Sequence, residues 1–162
     1  MKRFGVLLLA VTLTGLALVP AATAEKPLRS FLPADDFVFS GGCTFDIGVD
    51  FVANNEFQTV FSDGHFLVTG VLKVEFTNLS DPSKSMEANI SGPGVFTPTP
   101  DGGIVIKAEG PWFFFFFPGD LGPGSPGVAL LTRGLSILVI DGSGNASFTP
   151  ARNTTDLCVA LA

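Results

Sequence analysis

Apolar and polar residues alternate with a period of two along most of this chain, the signature of strands with one buried and one wet face. From Cys43 to Phe51 the odd positions are Cys43, Phe45, Ile47, Val49 and Phe51, set against Thr44, Asp46, Gly48 and Asp50. The same pattern runs through Phe66, Val68, Gly70, Leu72, Val74 and Phe76, with Lys73, Glu75 and Thr77 on the other side. It recurs in Met86, Ala88 and Ile90, and again in Leu135, Ile137 and Val139. Turn clusters separate the runs: Ser62-Asp63-Gly64, Ser80-Asp81-Pro82-Ser83, Asp101-Gly102-Gly103 and Asp141-Gly142-Ser143-Gly144. Between residues 34 and 150 no stretch sustains a helical period; only Thr154 to Leu161 reads as a single helical turn or a last short strand.

This pattern predicts one all-β domain over residues 34–162, with about 8–10 antiparallel strands joined mostly by tight turns as a meander. A closed β-barrel and a two-sheet β-sandwich both satisfy it. Residues 25–33, short and mixed in character, read as a flexible leader.

The first 24 residues differ from the rest. Lys2 and Arg3 precede an apolar run from Phe4 to Val19, Pro20 breaks it, and Ala22-Thr23-Ala24 offers a small-residue cleavage site. Residues 1–24 therefore read as a secretory signal peptide, too short and wrongly flanked for a membrane span. No cysteine follows the cleavage site to carry a lipid, and the C-terminus is too short for an anchor tail, so the expectation is a released, extracellular protein.

Export changes the meaning of the two cysteines. In an oxidising space Cys43 and Cys158 read as one disulfide, which closes nearly the whole domain into a loop and makes its first and last elements neighbours. The chain-entropy model assigns such a bridge up to about 5 kcal/mol. The rival, a reactive or metal-binding thiol pair, lacks a neighbouring histidine or a Cys-x-x-Cys spacing.

With Lys2 and Arg3 removed, seven basic residues face fifteen acidic ones. That balance gives no basic footprint for nucleic acid and little attraction to anionic lipid headgroups. It suits a soluble, self-repelling surface, with a monomer as the default, and leaves recognition of a cation or a basic partner as the alternative.

Trp112 to Phe117 is an unbroken aromatic run, about 20 Å long as a strand. Trp112, Phe114 and Phe116 share one face, and Phe113, Phe115 and Phe117 the other. One exposed face would show on the order of 500 Å² of aromatic surface, near the most a soluble monomer tolerates. Three readings follow: a core strand with one face under the Pro118–Gly127 segment, an apolar ligand site, or a protein interface. Trp112, Phe114 and Phe116 are the candidate ligand or interface residues. Pro111 and Pro118 bracket the run as breakers of β-aggregation.

Chemistry is sparse. The single histidine, His65, follows Asp63-Gly64, which reads as a two-residue hairpin turn rather than part of a Ser62/Asp63/His65 triad, because adjacent hairpin side chains diverge. No nucleophile elbow, phosphate-binding glycine loop or zinc-ligand spacing occurs. Asp141, Ser143 and Asn145 resemble the start of a calcium loop, but Arg152 stands where its bidentate acid is needed. Asp35-Asp36 and Asp46/Asp50 suit glycoside hydrolysis only if they face a cleft. No catalytic residue, metal or cofactor is assigned. Asn78, Asn89, Asn145 and Asn153 head glycosylation patterns that matter only in a eukaryotic secretory host.

Gly41-Gly42-Cys43-Thr44-Phe45, Phe76-Thr77-Asn78-Leu79, Ile90-Ser91-Gly92-Pro93-Gly94 and Asp156-Leu157-Cys158-Val159-Ala160-Leu161 follow one another as in a group of small exported proteins of high-GC Gram-positive bacteria, which this chain resembles over nearly all of residues 25–162. The resemblance implies secretion, a β fold and the disulfide; it implies no activity and transfers no catalytic residue. The functional expectation is thus non-catalytic binding of an apolar small molecule or a cell-envelope partner. Its alternatives are a hydrolase or isomerase using carboxylates or His65, and a structural or adhesive extracellular role.

Overall fold

The computed structural model describes residues 25–162, so the signal peptide read over residues 1–24 lies outside the described residues. Its strands are β1 (Leu28–Phe31), β2 (Phe37–Phe39), β3 (Ile47–Val60), β4 (Phe66–Asn78), β5 (Ser85–Asn89) and β6 (Gly94–Pro98). They continue with β7 (Ile104–Ala108), β8 (Pro111–Phe116), β9 (Val128–Arg133), β10 (Ser136–Ile140), β11 (Ala146–Thr149) and β12 (Asn153–Asp156), followed by the single turn α1 (Leu157–Ala160). Twelve strands exceed the eight to ten expected, because several are only three to five residues long and carry too little alternation to register in sequence.

All pairings are antiparallel. A nine-stranded sheet runs in the order β1-β3-β4-β6-β7-β10-β11, with β2 added on β3 and β5 on β4; a second sheet has the order β12-β9-β8. The large sheet ends at β1 and β11, which do not pair, so it does not close into a barrel, and the architecture is sandwich-like. Among the described residues no helix is long and apolar enough to cross a membrane.

The β3–β4 hairpin is the spine of the large sheet, and each of its two halves carries different neighbours. Near the hairpin's open end, β2 pairs with Ile47–Val49 and β5 with Lys73–Thr77. Near its closed end, β1 pairs with Phe57–Val60 and β6 with Phe66–Val68. The halves meet at a β-bulge between Asp50 and Ala53, opposite β4. A bulge inserts one unpaired residue and so exchanges which positions face inward. Before it, Ile47 and Val49 are buried; after it, the inward set on β3 is the even one, containing Asn54, Glu56 and Gln58. On the unbulged β4 the even positions Val68, Leu72, Val74 and Phe76 are buried as their alternation predicts, while Gly70 among them is exposed.

The small sheet is apolar on both faces. Phe113, Ala129 and Leu131 join one core with Phe39, Val74, Phe76 and the terminal Leu157 and Leu161. Phe114, Phe116 and Val128 join a second core with Ala108, Leu138 and Phe148. Fully burying each such side chain contributes roughly 1.5–3 kcal/mol of transfer free energy.

Cys43 and Cys158 are bonded, with their Cα atoms 5.2 Å apart. Around them the sequence expectations are adjusted. Gly41 to Phe45 is irregular, so the strand read from Cys43 begins at Ile47, and the bends bring Cys43 to α1. Residues 154–161 hold both forms proposed for them: Thr154 lies in β12, and Asp156 caps α1 by accepting a 2.8 Å hydrogen bond from the Cys158 N–H. Within the leader, Leu28–Phe31 is a strand on β3 instead of a flexible stretch, because the closed half of β3 offers a free edge that β2 does not reach. Arg29 stacks 4.2 Å over the Phe57 ring there.

Candidate functional site

Strand β8 carries the aromatic run, and its two faces meet different surroundings. The Pro118–Gly127 segment, expected to cover one face, contributes only Leu121 to the second core; both faces are covered chiefly by the large sheet. Phe113 packs 4.8 Å from Phe76 and Phe115 5.1 Å from Phe37, while Phe117 lies 5.4 Å from Phe39. On the opposite face Phe114 and Phe116 stand 4.7 and 5.0 Å from Phe148.

The three candidate residues share the second core and differ only in the cavity each borders. Phe114 is buried in the second core and lines neither cavity described below. Phe116, also buried, forms part of the floor of the larger cavity, and Trp112 lines the smaller one. The indole of Trp112 lies against Gly92 and Gly94, where any Cβ would collide with its ring. Its Nε1 is buried without a hydrogen-bond partner.

The larger cavity is a cleft of about 610 Å³ between the 118–127 loop and the β10–β11 hairpin. Phe116, Leu138, Ile140 and Ala146 make its floor, and Asp120 and Asn145 stand at its rim. Both rim side chains are occupied locally. Asp120 accepts a 2.7 Å hydrogen bond from the Phe117 N–H, and the Asn145 amide donates to Asp141 at 2.8 Å. What the cleft offers a ligand is therefore mainly apolar surface.

The smaller cavity, about 170 Å³, is lined by Phe37, Phe51, Phe113, Phe115 and Trp112 together with the aliphatic Leu72 and Ile90, and Glu56 reaches it from β3. Glu56 is only 6% exposed, and among the described residues its carboxylate has neither an ion pair nor a hydrogen bond. Burial raises its pKa above the ordinary glutamate value by disfavouring the charged form. Reading from sequence missed this residue because Asn54-Asn55-Glu56 shows no apolar alternation, and a bulge that moves even positions inward has no local signature.

The remaining candidates serve turns. His65 lies at the tip of the β3–β4 hairpin, stacked 4.2 Å from Phe61 and bonded through Nδ1 to Asp63, and it lines neither cavity. That bond holds the Asp63 carboxyl below its ordinary range. The turn is one residue longer than the two-residue form expected. The Phe61 N–H donates to the His65 carbonyl and the Gly64 N–H to the Phe61 carbonyl, with Gly64 at φ +85°, the left-handed position that a three-residue loop requires. Asp141 accepts from the backbone N–H groups of Ser143 and Asn145, both at 2.9 Å, which uses the calcium-like trio to close the β10–β11 turn. Asp35, Asp36, Asp46 and Asp50 are all exposed. Among the described residues no group of three or more His, Cys, Asp or Glu side chains is gathered to hold a metal. Comparisons with protein-family models, curated proteins and solved structures found no match to this chain, and its function is read from its own geometry.

Proposed function

We propose that this chain is an exported, non-catalytic binding protein that takes an apolar small molecule in the cleft beneath the 118–127 loop. The observation that carries this reading is the cleft itself. Its volume of about 610 Å³ lies within the range of small-molecule sites, its floor is apolar, and its rim carboxylate and amide are already hydrogen-bonded. Export is supported by the signal-like pattern of residues 1–24 and by a disulfide of the kind that persists in oxidising compartments. The likeness to small exported proteins of high-GC Gram-positive bacteria points the same way.

The test is native mass spectrometry of the protein recovered from culture medium without organic solvent. The expected result is an oxidised chain beginning at Glu25 that carries an apolar adduct. The adduct should be lost in Ala146→Trp, whose indole would occupy the cleft. An adduct retained by that variant would place the ligand elsewhere. A bare protein that also binds an apolar fluorescent dye no better than Ala146→Trp does would overturn the reading.

A further inference from the structure

Glu56 has no structural role that requires a charge. Its backbone is tied down without its side chain: the N–H donates to the Asn54 side chain at 2.9 Å, and the carbonyl accepts from Leu32 at 3.0 Å. A carboxylate set beside aromatic rings without a partner loses part of its hydration, and a glutamine or an apolar residue there would lose less. The group that would offset this cost is a cation, and no basic side chain lines the pocket.

The walls narrow the choice of cation. Phenyl and indole faces carry the negative end of a quadrupole and attract a positive charge placed over them. They offer no lone pairs, so a calcium or magnesium ion, which needs six or more oxygen ligands, finds only one carboxylate. An organic ammonium is different: its charge is spread over methyl or methylene groups that exchange water for ring contact. The volume of about 170 Å³ equals roughly five water molecules' share of liquid, enough for a nitrogen and about four carbons. Access is available past Phe115, which is 39% exposed, and Phe37, which is half-buried. Asp36, whose carboxylate accepts from the Phe51 N–H at 2.7 Å, adds negative charge beside the two phenylalanines Phe37 and Phe51.

We propose that this pocket binds the ammonium head of a small organic cation, with Glu56 as its counter-charge and Phe37, Phe51, Phe113 and Phe115 as its cage, Trp112 standing at its edge from the opposite face of β8. Phe115 lines both this pocket and the apolar cleft, whereas Glu56 belongs to this pocket and not to the cleft, and neither proposal depends on the other.

Trp112 is the only tryptophan of the chain and lines this pocket, so its fluorescence serves as a reporter beside it. The experiment titrates the oxidised protein with choline and, in parallel, with 3,3-dimethylbutan-1-ol, its uncharged isostere, at constant ionic strength. Choline is expected to change the fluorescence saturably and the isostere to leave it unchanged. Glu56→Gln, a variant that keeps shape and removes charge, should weaken choline binding about tenfold or more, and Phe115→Leu, at the rim, should weaken it with the fold intact. The proposal is overturned if choline gives no saturable change, if the two ligands act alike, or if Glu56→Gln binds choline as tightly as the parent.

Discussion

Glu56 stands directly across the β3–β4 ladder from Gly70, and Gly70 adopts a φ of +148° that other residues rarely reach. A Cβ at position 70 would run into the Asn55 carbonyl and the Glu56 backbone. The missing side chain thus lets the two strands approach closely at the Glu56–Gly70 pair. Gly70→Ala is expected to cost about 1–3 kcal/mol, seen as a lower urea midpoint at unchanged slope. An unchanged midpoint would mean that the two strands part there freely.

The same carboxylate sets a pH dependence with a definite sign. Because the pKa of Glu56 is raised on folding, its contribution to stability is fully present below the unfolded value and is lost as pH rises through the folded one. Glu56→Gln should therefore be more stable than the parent near neutral pH, by on the order of 1 kcal/mol, with the difference fading toward acid. Urea titrations between about pH 4 and pH 8 measure it, and a pH-independent difference would contradict the burial of the charge. Asp63, Asp81, Asp101 and Asp141 act in the opposite sense: their lowered pKa values give stability that is present above the ordinary aspartate value and lost as pH falls below it.

Adjacent phenylalanines of one strand should behave differently. Phe114 is 6% exposed and packed on Phe148, so Phe114→Ala should cost about 3–5 kcal/mol through the cavity it leaves. Phe115 is 39% exposed, and Phe115→Ala should cost about 1–2 kcal/mol. Equal losses from the two variants, measured by thermal or urea unfolding, would contradict the assignment of β8's faces.

Removing both cysteines, as Cys43→Ser with Cys158→Ser, should lower stability by up to about 5 kcal/mol, because the bridge closes a loop spanning 115 residues. The C-terminus has other holds: Leu157 and Leu161 are buried, and the buried Asn78 amide donates to the Leu161 carbonyl at 2.9 Å. If unfolding showed a loss under about 1 kcal/mol, those contacts alone would be enough to seat the last turn.

Much of the fold was legible in the alternation. A period of two needs only neighbouring residues, so β4 and β5, the all-β class, and the opposite facing of Trp112 and Phe113 could all be read directly. The cysteine pair could be read too, because two thiols in a chain that reads as exported have one natural fate. Short strands were not legible, and β1 falls in a stretch that reads as a leader because its ladder depends on an edge of β3 that only pairing creates.

The sequence by itself determined that this chain makes antiparallel strands tied end to end by one disulfide, and that its richest apolar segment is Trp112–Phe117. Only the tertiary structure decided what those strands enclose. The bulge at Asp50/Ala53 exchanged the inward and outward positions of β3 and turned Glu56 inward. Packing of β8 between two parts of the large sheet gathered Trp112, Phe114 and Phe116 in the second core, with Trp112 also beside the smaller cavity and Phe116 beside the larger. The physical reason is one of range. Alternation follows from the pleat of a single strand, whereas a cavity is space left among elements far apart in the chain, and one inserted residue is enough to change what lines it.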